Sequence, residues 1–426
     1  MKVLVLDLTH GGEVLARAYA HQGDEVAVVD IYHTASPSLV SSLEALGVEV
    51  LASAPPRSFD LGVAPIHCPD RYYGEARCEH KVTHHQAVGS LAKFPYPVIE
   101  VTGARGKTST CQLLARILAD RGKRVALLSS SGLSLIEKDR TTVLEDKVSI
   151  APPTILKLSE RPPRADLGVL EISLGGTGLG AVSVVTTIGD DYPIAGRTRR
   201  AFDGKVQMIE GARGTAVFPE AEKKMWSPHV HPGTDRMTFG PKGDLQLELK
   251  DLALGQGARL VMRDGDGIAE ASLDPGYLAP SYTTGFGAAA AAARSLGIPL
   301  DSIAATLQSF KGAPGRGEVA LEGGKVLVRE RNPGVSAGSV DWNLRSLGTY
   351  GVRDVGMVLD PVNIKVCEKL DLEAVLGVAR KHHATPYLLR PEGWEKAANG
   401  YLPLEDIEQV KGRHEVLLWC TKEGYL

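Results

Sequence analysis

Cysteine is scarce and scattered in this chain. Its five copies, Cys68, Cys78, Cys111, Cys367 and Cys420, are odd in number and form no C-x-x-C pair. Neither a zinc cluster nor a disulfide framework is expected, and the thiols are read as reduced. Positive charge is not in surplus either. The formal net charge is -3, which offers no broad basic face to nucleic acid. No uninterrupted apolar run approaches the length of a membrane span. The opening Met1 to Asp7 enters a strand-like pattern directly, without a cleavable apolar segment. A cytoplasmic protein with no nucleic-acid or membrane partner is therefore expected. Repeats and low-complexity segments are missing apart from six alanines starting at Ala288, and a closely packed helix explains those without a cofactor.

What is present is an ordinary globular composition of 43% hydrophobic and 23% charged residues over 426 positions, a length that favours about three domains. The most informative stretch is Val98 to Thr110, an apolar run that breaks at Gly103-Ala104-Arg105-Gly106-Lys107-Thr108-Ser109 and continues as a helical pattern to about Gly122. A strand, a phosphate-binding loop and a helix start fit this order. Unpartnered N–H groups and the positive end of the peptide dipoles attract anions at such a terminus. Lys107 is placed to reach a terminal phosphate, and the Thr108 hydroxyl to sit on a magnesium ion. The position where the P-loop consensus has its first glycine holds Val101, so the loop is shortened. An ordinary glycine turn at a strand–helix junction is the simpler alternative.

Taken in order, Lys2 to Asp7 and Glu25 to Asp30 flank a helical segment, Gly12 to Gln22, the pattern of a small doubly wound parallel sheet. Its first strand ends in Thr9-His10-Gly11-Gly12, at the edge where such sheets bind ligands. A contact with substrate and a tight turn carrying a surface histidine are both consistent with those residues. His67, Cys68, Cys78, His80, His84 and His85 form a polar cluster, but their spacing matches no known metal-ligand pattern. The proline-bearing Lys93 to Pro97 marks a first boundary, and the glycine-rich Lys311 to Glu318 a second. The domains expected are 1–94, Rossmann-like; 95–313, a P-loop ATPase with added antiparallel strands; and 314–426, a third α/β unit. Within the middle domain the strand Leu167 to Ser173 ends on Glu171. A lone carboxylate buried there is costly unless it is paired or metal-bound. A magnesium contact is the favoured reading, and a helix cap the alternative. Asp190-Asp191, closing the strand Val182 to Ile188, is a further candidate metal contact. The segments from Thr215 to Met262 read as an antiparallel addition.

This order of parts resembles the Mur ligase superfamily, ATP-dependent ligases that join a carboxylate to a nucleophile through an acyl phosphate. The resemblance rests on Thr102 to Ser109, Leu170-Glu171-Ile172-Ser173, Thr186 to Asp191, Lys205, Gly315-Arg316 and Asn332-Pro333. It implies that Lys107 and the backbone of Gly103, Ala104, Arg105 and Gly106, with Ser109, hold the ATP phosphates. It also implies that Thr108 and Glu171 share a magnesium ion, that Asn332 lies in the ATP site, and that Arg316 reaches the phosphates when the last domain closes. Lys205 matches the family's carbamylated lysine, an anion able to face a second magnesium; a solvated helix lysine is the alternative. Asp191 stands where the family has a metal-contacting histidine. The asparagines that commonly recognise adenine are replaced by Ser281 to Gly285.

The opening Asp7 to Gly12 and the closing Cys420 to Tyr425 resemble one branch of that superfamily. Its members activate a propionate side chain of a nickel tetrapyrrole, and a ring carbon of the same molecule then attacks. Arg197, Arg199 and Arg200 are the candidates for the substrate carboxylates. A ligase for an amino acid or peptide, and an ATP-dependent switch or binding protein, are the rival readings.

Overall fold

The computed structural model describes residues 1–189, 191–322, 324–332, 334–361, 370–390 and 399–422. Asp190, Pro333, Cys367 and the closing Glu423-Gly424-Tyr425 lie outside the described residues. The chain forms two compact units, Met1–Gln246 with Thr284–Pro299, and Leu247–Thr283 with Leu300–Leu426.

The first unit carries two sheets. The N-terminal one is parallel throughout, in the order Glu49–Leu51, Glu25–Val29, Lys2–Leu6, Ser58–Ala64, Arg77–Thr83. Alternate side chains of a strand face opposite sides of its sheet. Val3, Val5, Val26 and Val28 accordingly join one core, while Leu4, Leu6, Ala27 and Val29 join another. Burial on both faces explains why these strands read as continuous apolar runs. The chain leaves the central strand Lys2–Leu6 towards one neighbour and later returns to the other. That divergence opens a crevice at the carboxyl edge.

The second sheet has eight strands. Val98–Thr102 lies between Leu167–Glu171 and Gly180–Val185, so the loop after it opens where the two flanking strands also end. Thr215–Pro219 and Asp235–Phe239, expected to be antiparallel, extend this sheet in parallel. Helix Ala201–Glu210 and the helical turns of residues 220–229 supply the crossovers that parallel pairing requires. Antiparallel strands do occur, as the hairpin Gly132–Glu137 and Arg140–Asp146 at the opposite edge. Its outer strand is almost wholly exposed, so its sequence carries no apolar alternation to announce it.

The second unit holds a three-stranded sheet, Gln246–Ala253, Gly257–Asp264 and Gly267–Leu273, the last two antiparallel. It also holds a six-stranded sheet in which Lys325–Asn332, Val416–Lys422, Val355–Asp360, Thr385–Leu389 and Leu402–Leu404 run parallel and Glu318–Glu322 is an antiparallel edge. The three main sheets give the α/β architecture read from the sequence. Among the described residues no helix is long and apolar enough to cross a membrane, and Cys68, Cys78, Cys111 and Cys420 are free thiols.

Two histidines tie the sheets of the first unit together. They begin helix His84–Leu91, capped by Thr83 and Gln86. The His84 Nε2 lies 3.3 Å from the Leu6 carbonyl, and the His85 Nε2 2.7 Å from the Ser173 carbonyl. Burial holds the first imidazole down at about 3 and the second at about 4, from an ordinary 6.5. The unfolded chain therefore takes up protons below about pH 6.5 that the folded chain refuses, and stability present above that value is lost as pH falls. The loss is expected to approach about 1.4 kcal/mol per pH unit for each imidazole. Denaturant midpoints measured from about pH 6.5 down to about pH 4.5 check it; a flat profile in wild type contradicts it.

Candidate active site

Val101 is fully buried inside its strand, which is why the loop starts only at Gly103. Gly103 has φ +144°, and a Cβ there would lie 2.0 Å from the Thr186 hydroxyl. Gly106 has φ +79° and caps helix Lys107–Asp120. The loop is held against the neighbouring strand end: the Ala104 N–H donates to the Thr187 carbonyl at 2.8 Å, and the Thr186 hydroxyl to the Arg105 carbonyl at 2.6 Å. Lys107 Nζ donates to the Gly103 carbonyl at 3.0 Å, so its ammonium lies over the loop. Ser109 faces Gly285 of the alanine-rich helix, where a Cβ would meet it at 3.3 Å.

Thr108 and Glu171 come together as expected. The Thr108 hydroxyl donates to Glu171 Oε1 at 3.1 Å, and the Ser130 N–H to Oε2 at 2.9 Å. The Ser130 hydroxyl lies 3.0 Å from that of Thr108. Ser130 was missed by the sequence reading, since a serine following a strand carries no distinguishing signal. The buried oxygens of Thr108 and Glu171, with the exposed Ser130 hydroxyl beside them, are donors that suit magnesium.

Lys205, on helix Ala201–Glu210, is 1% exposed. Its Nζ has no hydrogen-bond partner and lies 4.9 Å from the centre of the Tyr192 ring. Burial, with the Lys107 charge second, lowers its pKa from 10.5 to about 8, against the pull of Asp191 and Glu222. Glu222, also missed, accepts the N–H of Ile188 at 3.0 Å and the indole N–H of Trp226 at 2.8 Å, and takes the Thr187 hydroxyl. It thereby fixes the strand end that cradles the loop.

Asp191, Arg199, Arg200 and Thr9 are engaged within the protein. The Asp191 carboxylate accepts Arg200 Nε at 2.8 Å and the Phe202 N–H at 2.9 Å. Arg199 donates to the Ile66 carbonyl at 3.1 Å and to Asp70 at 2.7 Å, while Arg197 is exposed. At the N-terminal turn, Thr9 bonds to the Thr34 hydroxyl at 2.6 Å. The glycine pair answers to the turn itself. A Cβ on Gly12 would lie 2.0 Å from the Asp7 carbonyl oxygen, and one on Gly11, at φ +86°, 2.9 Å from Pro153.

In the second unit Arg316 sits in a braced turn. Gly315 has φ +68° and accepts the Arg331 N–H at 2.8 Å. The Tyr282 hydroxyl donates to the Arg316 carbonyl at 2.7 Å, and the Gly317 N–H donates to Glu330 at 2.9 Å. The Asn332 amide donates to Glu330 at 2.7 Å and to the Gly315 carbonyl at 3.1 Å. Its amide thus ties the arginine turn to the strand. Burial pushes the Glu330 carboxyl up, opposed by Asn332 and the Arg316 charge.

No protein-family model matches the chain. The MurF ligase of Thermotoga maritima in complex with ADP shares its fold, with a TM-score of 0.59 over 93% of this chain and 90% of that one at 15% identity. The chain, with a full-length relative besides, belongs to the Mur ligase superfamily and is an ATP-dependent, ADP-forming ligase. That relative is the coenzyme F(430) synthetase of Methanosarcina acetivorans, 33% identical over 99% of this chain and 98% of its own length. The coenzyme F(430) synthetase of Methanocaldococcus jannaschii is 28% identical over 49% of this chain and 50% of its own length.

Proposed function

We propose that this ligase phosphorylates a propionate carboxylate of an open-chain nickel tetrapyrrole acid and closes a ring on it, giving coenzyme F(430), ADP and phosphate. The carboxylate oxygen attacks the γ-phosphorus of ATP and ADP leaves. A ring carbon of the same molecule then attacks the acyl carbon, losing its proton as phosphate departs. The full-length relative supports this choice of substrate.

The observation that carries the acyl-phosphate reading is a pair of neighbouring lysines, one of them buried and without a hydrogen-bond partner. Burial and, second to it, the Lys107 charge lower the pKa of Lys205, and the Lys205 Nζ makes no hydrogen bond. Such an arrangement calls for anions. ATP phosphates are the partner proposed for Lys107. Lys205 is proposed to become the anion itself: an amine with a pKa near 8 is partly neutral at working pH, and its nitrogen can add carbon dioxide and lose a proton to give a carbamate. Magnesium, when bound, neutralises phosphate charge, with Thr108 and Glu171 as the residues to hold it and Asp191 a further candidate. Gly103 to Gly106 and Ser109 are assigned to the phosphate cradle, and Arg316 to phosphate charge during turnover. For Asn332 the reading that fits its bonds is positioning of the Arg316 turn.

The test supplies ATP, magnesium and the nickel tetrapyrrole acid and follows ADP and visible absorbance. Both are expected to change together and only with substrate. ADP release driven by an amino acid would favour a peptide ligase, and hydrolysis indifferent to any carboxylate an ATP-dependent switch.

A further inference from the structure

Three loops leave the carboxyl edge of the N-terminal sheet around the crevice beside Lys2–Leu6, and each brings a ring: His10, Tyr32 and His67. The His10 and His67 rings meet edge to face with centres 4.6 Å apart, and Tyr32 stands 5.8 Å from His10. Asp7, fully buried, is hydrogen-bonded to His10 Nδ1 and accepts the Thr9 N–H at 2.7 Å and the His10 N–H at 3.2 Å. It adopts φ +75° to do so, the left-handed region that residues other than glycine seldom occupy. A carboxylate that holds one imidazole nitrogen fixes the ring and leaves the other nitrogen as a donor, the usual support of a metal-binding histidine. The second histidine adds an independent sign. His67 Nε2 is buried and has no hydrogen-bond partner, which costs free energy unless something binds it. One donor atom from each of Asp7, His10 and His67 lies within 4.8 Å of the others.

We infer that His10 and His67 ligate a divalent transition metal, with Asp7 as the group that orients His10. Nitrogen donors favour nickel, cobalt or zinc over magnesium, so this centre is chemically separate from Thr108 and Glu171. Two sources present the same chemistry, a free ion or a metal held at the centre of a flat macrocycle. The second source rests on the proposed tetrapyrrole substrate; the first does not.

The experiment has two arms on the full chain. In the first, cobalt(II) alone is titrated and its visible ligand-field bands recorded. In the second, the nickel tetrapyrrole acid is added without ATP and its absorption bands followed. A cobalt spectrum that is lost in His10→Ala and His67→Ala establishes a free-ion site. No cobalt spectrum, but a band shift of the nickel macrocycle that disappears in His67→Ala, establishes ligation within the ligand. Identical spectra for wild type and both variants in both arms overturn the inference. Should His67→Ala not fold, X-ray absorption of nickel bound to wild type decides, since imidazole scattering is either present or absent. Carboxylate-dependent ADP release, measured alongside, reports separately on the ligase reading.

Discussion

Lys205→Ala is expected to lower carboxylate-dependent ADP formation by about 10²–10³-fold, the usual loss when one preorganised electrostatic contact to a transition state is removed. The side chain is long, 1% exposed and free of hydrogen bonds, so its removal breaks no hydrogen bond and gives up only its packing and its contact with the Tyr192 ring. A cation buried near Lys107 opposes folding, while the cavity left by a fully buried side chain acts the other way, so the variant is expected to stay folded with the two effects partly offsetting in its melting temperature. The carbamate account adds a condition that a structural role does not. Wild-type activity should decline in buffer stripped of carbon dioxide and return with bicarbonate, more fully as pH rises through about 8, the value to which burial and Lys107 lower this amine. Lys205→Ala should ignore bicarbonate. Wild-type turnover by the variant, or bicarbonate independence of both proteins, contradicts the assignment.

Lys107→Ala is expected to cost about 10²–10³-fold as well, because the phosphates lose a charge-assisted donor at the helix terminus. Its ammonium donates to the Gly103 carbonyl and lies over the loop within a side chain's reach of the phosphates proposed there. The same substitution removes the positive charge that helps depress Lys205. The pH at which bicarbonate restores whatever activity remains should therefore move upward. Single-turnover rates with and without bicarbonate measure both effects. An unshifted bicarbonate profile would show the two lysines to be uncoupled.

How far the molecule was readable from its residues depended on how local each signal was. Gly103 to Ser109 could be recognised because strand, glycine turn and helix start follow one another without interruption, and Glu171 because one acid stands in an apolar strand. Lys205 and Arg316 were visible only through resemblance, since nothing around them distinguishes them from surface cations. The parallel pairing of Thr215–Pro219 and Asp235–Phe239 was misread. Their crossovers are short or irregular, so the strands appeared to follow one another as a meander. Glu222 sits in a run of charges, Glu220-Ala221-Glu222-Lys223-Lys224, that looks like solvated surface, yet it fixes Thr187 and Ile188. The histidine cluster failed as a sequence pattern for a physical reason: His84 and His85 bond to backbone carbonyls. His67 instead meets His10 and Asp7, which arrive from a different strand.

The most direct test of the acyl-phosphate reading follows an oxygen atom. The propionate carboxylate of the nickel tetrapyrrole acid is labelled with heavy oxygen, and the phosphate released during turnover with ATP and magnesium is examined by mass. If the carboxylate is phosphorylated first, one labelled oxygen appears in each phosphate formed. Phosphate that carries no label while ADP accumulates contradicts the account.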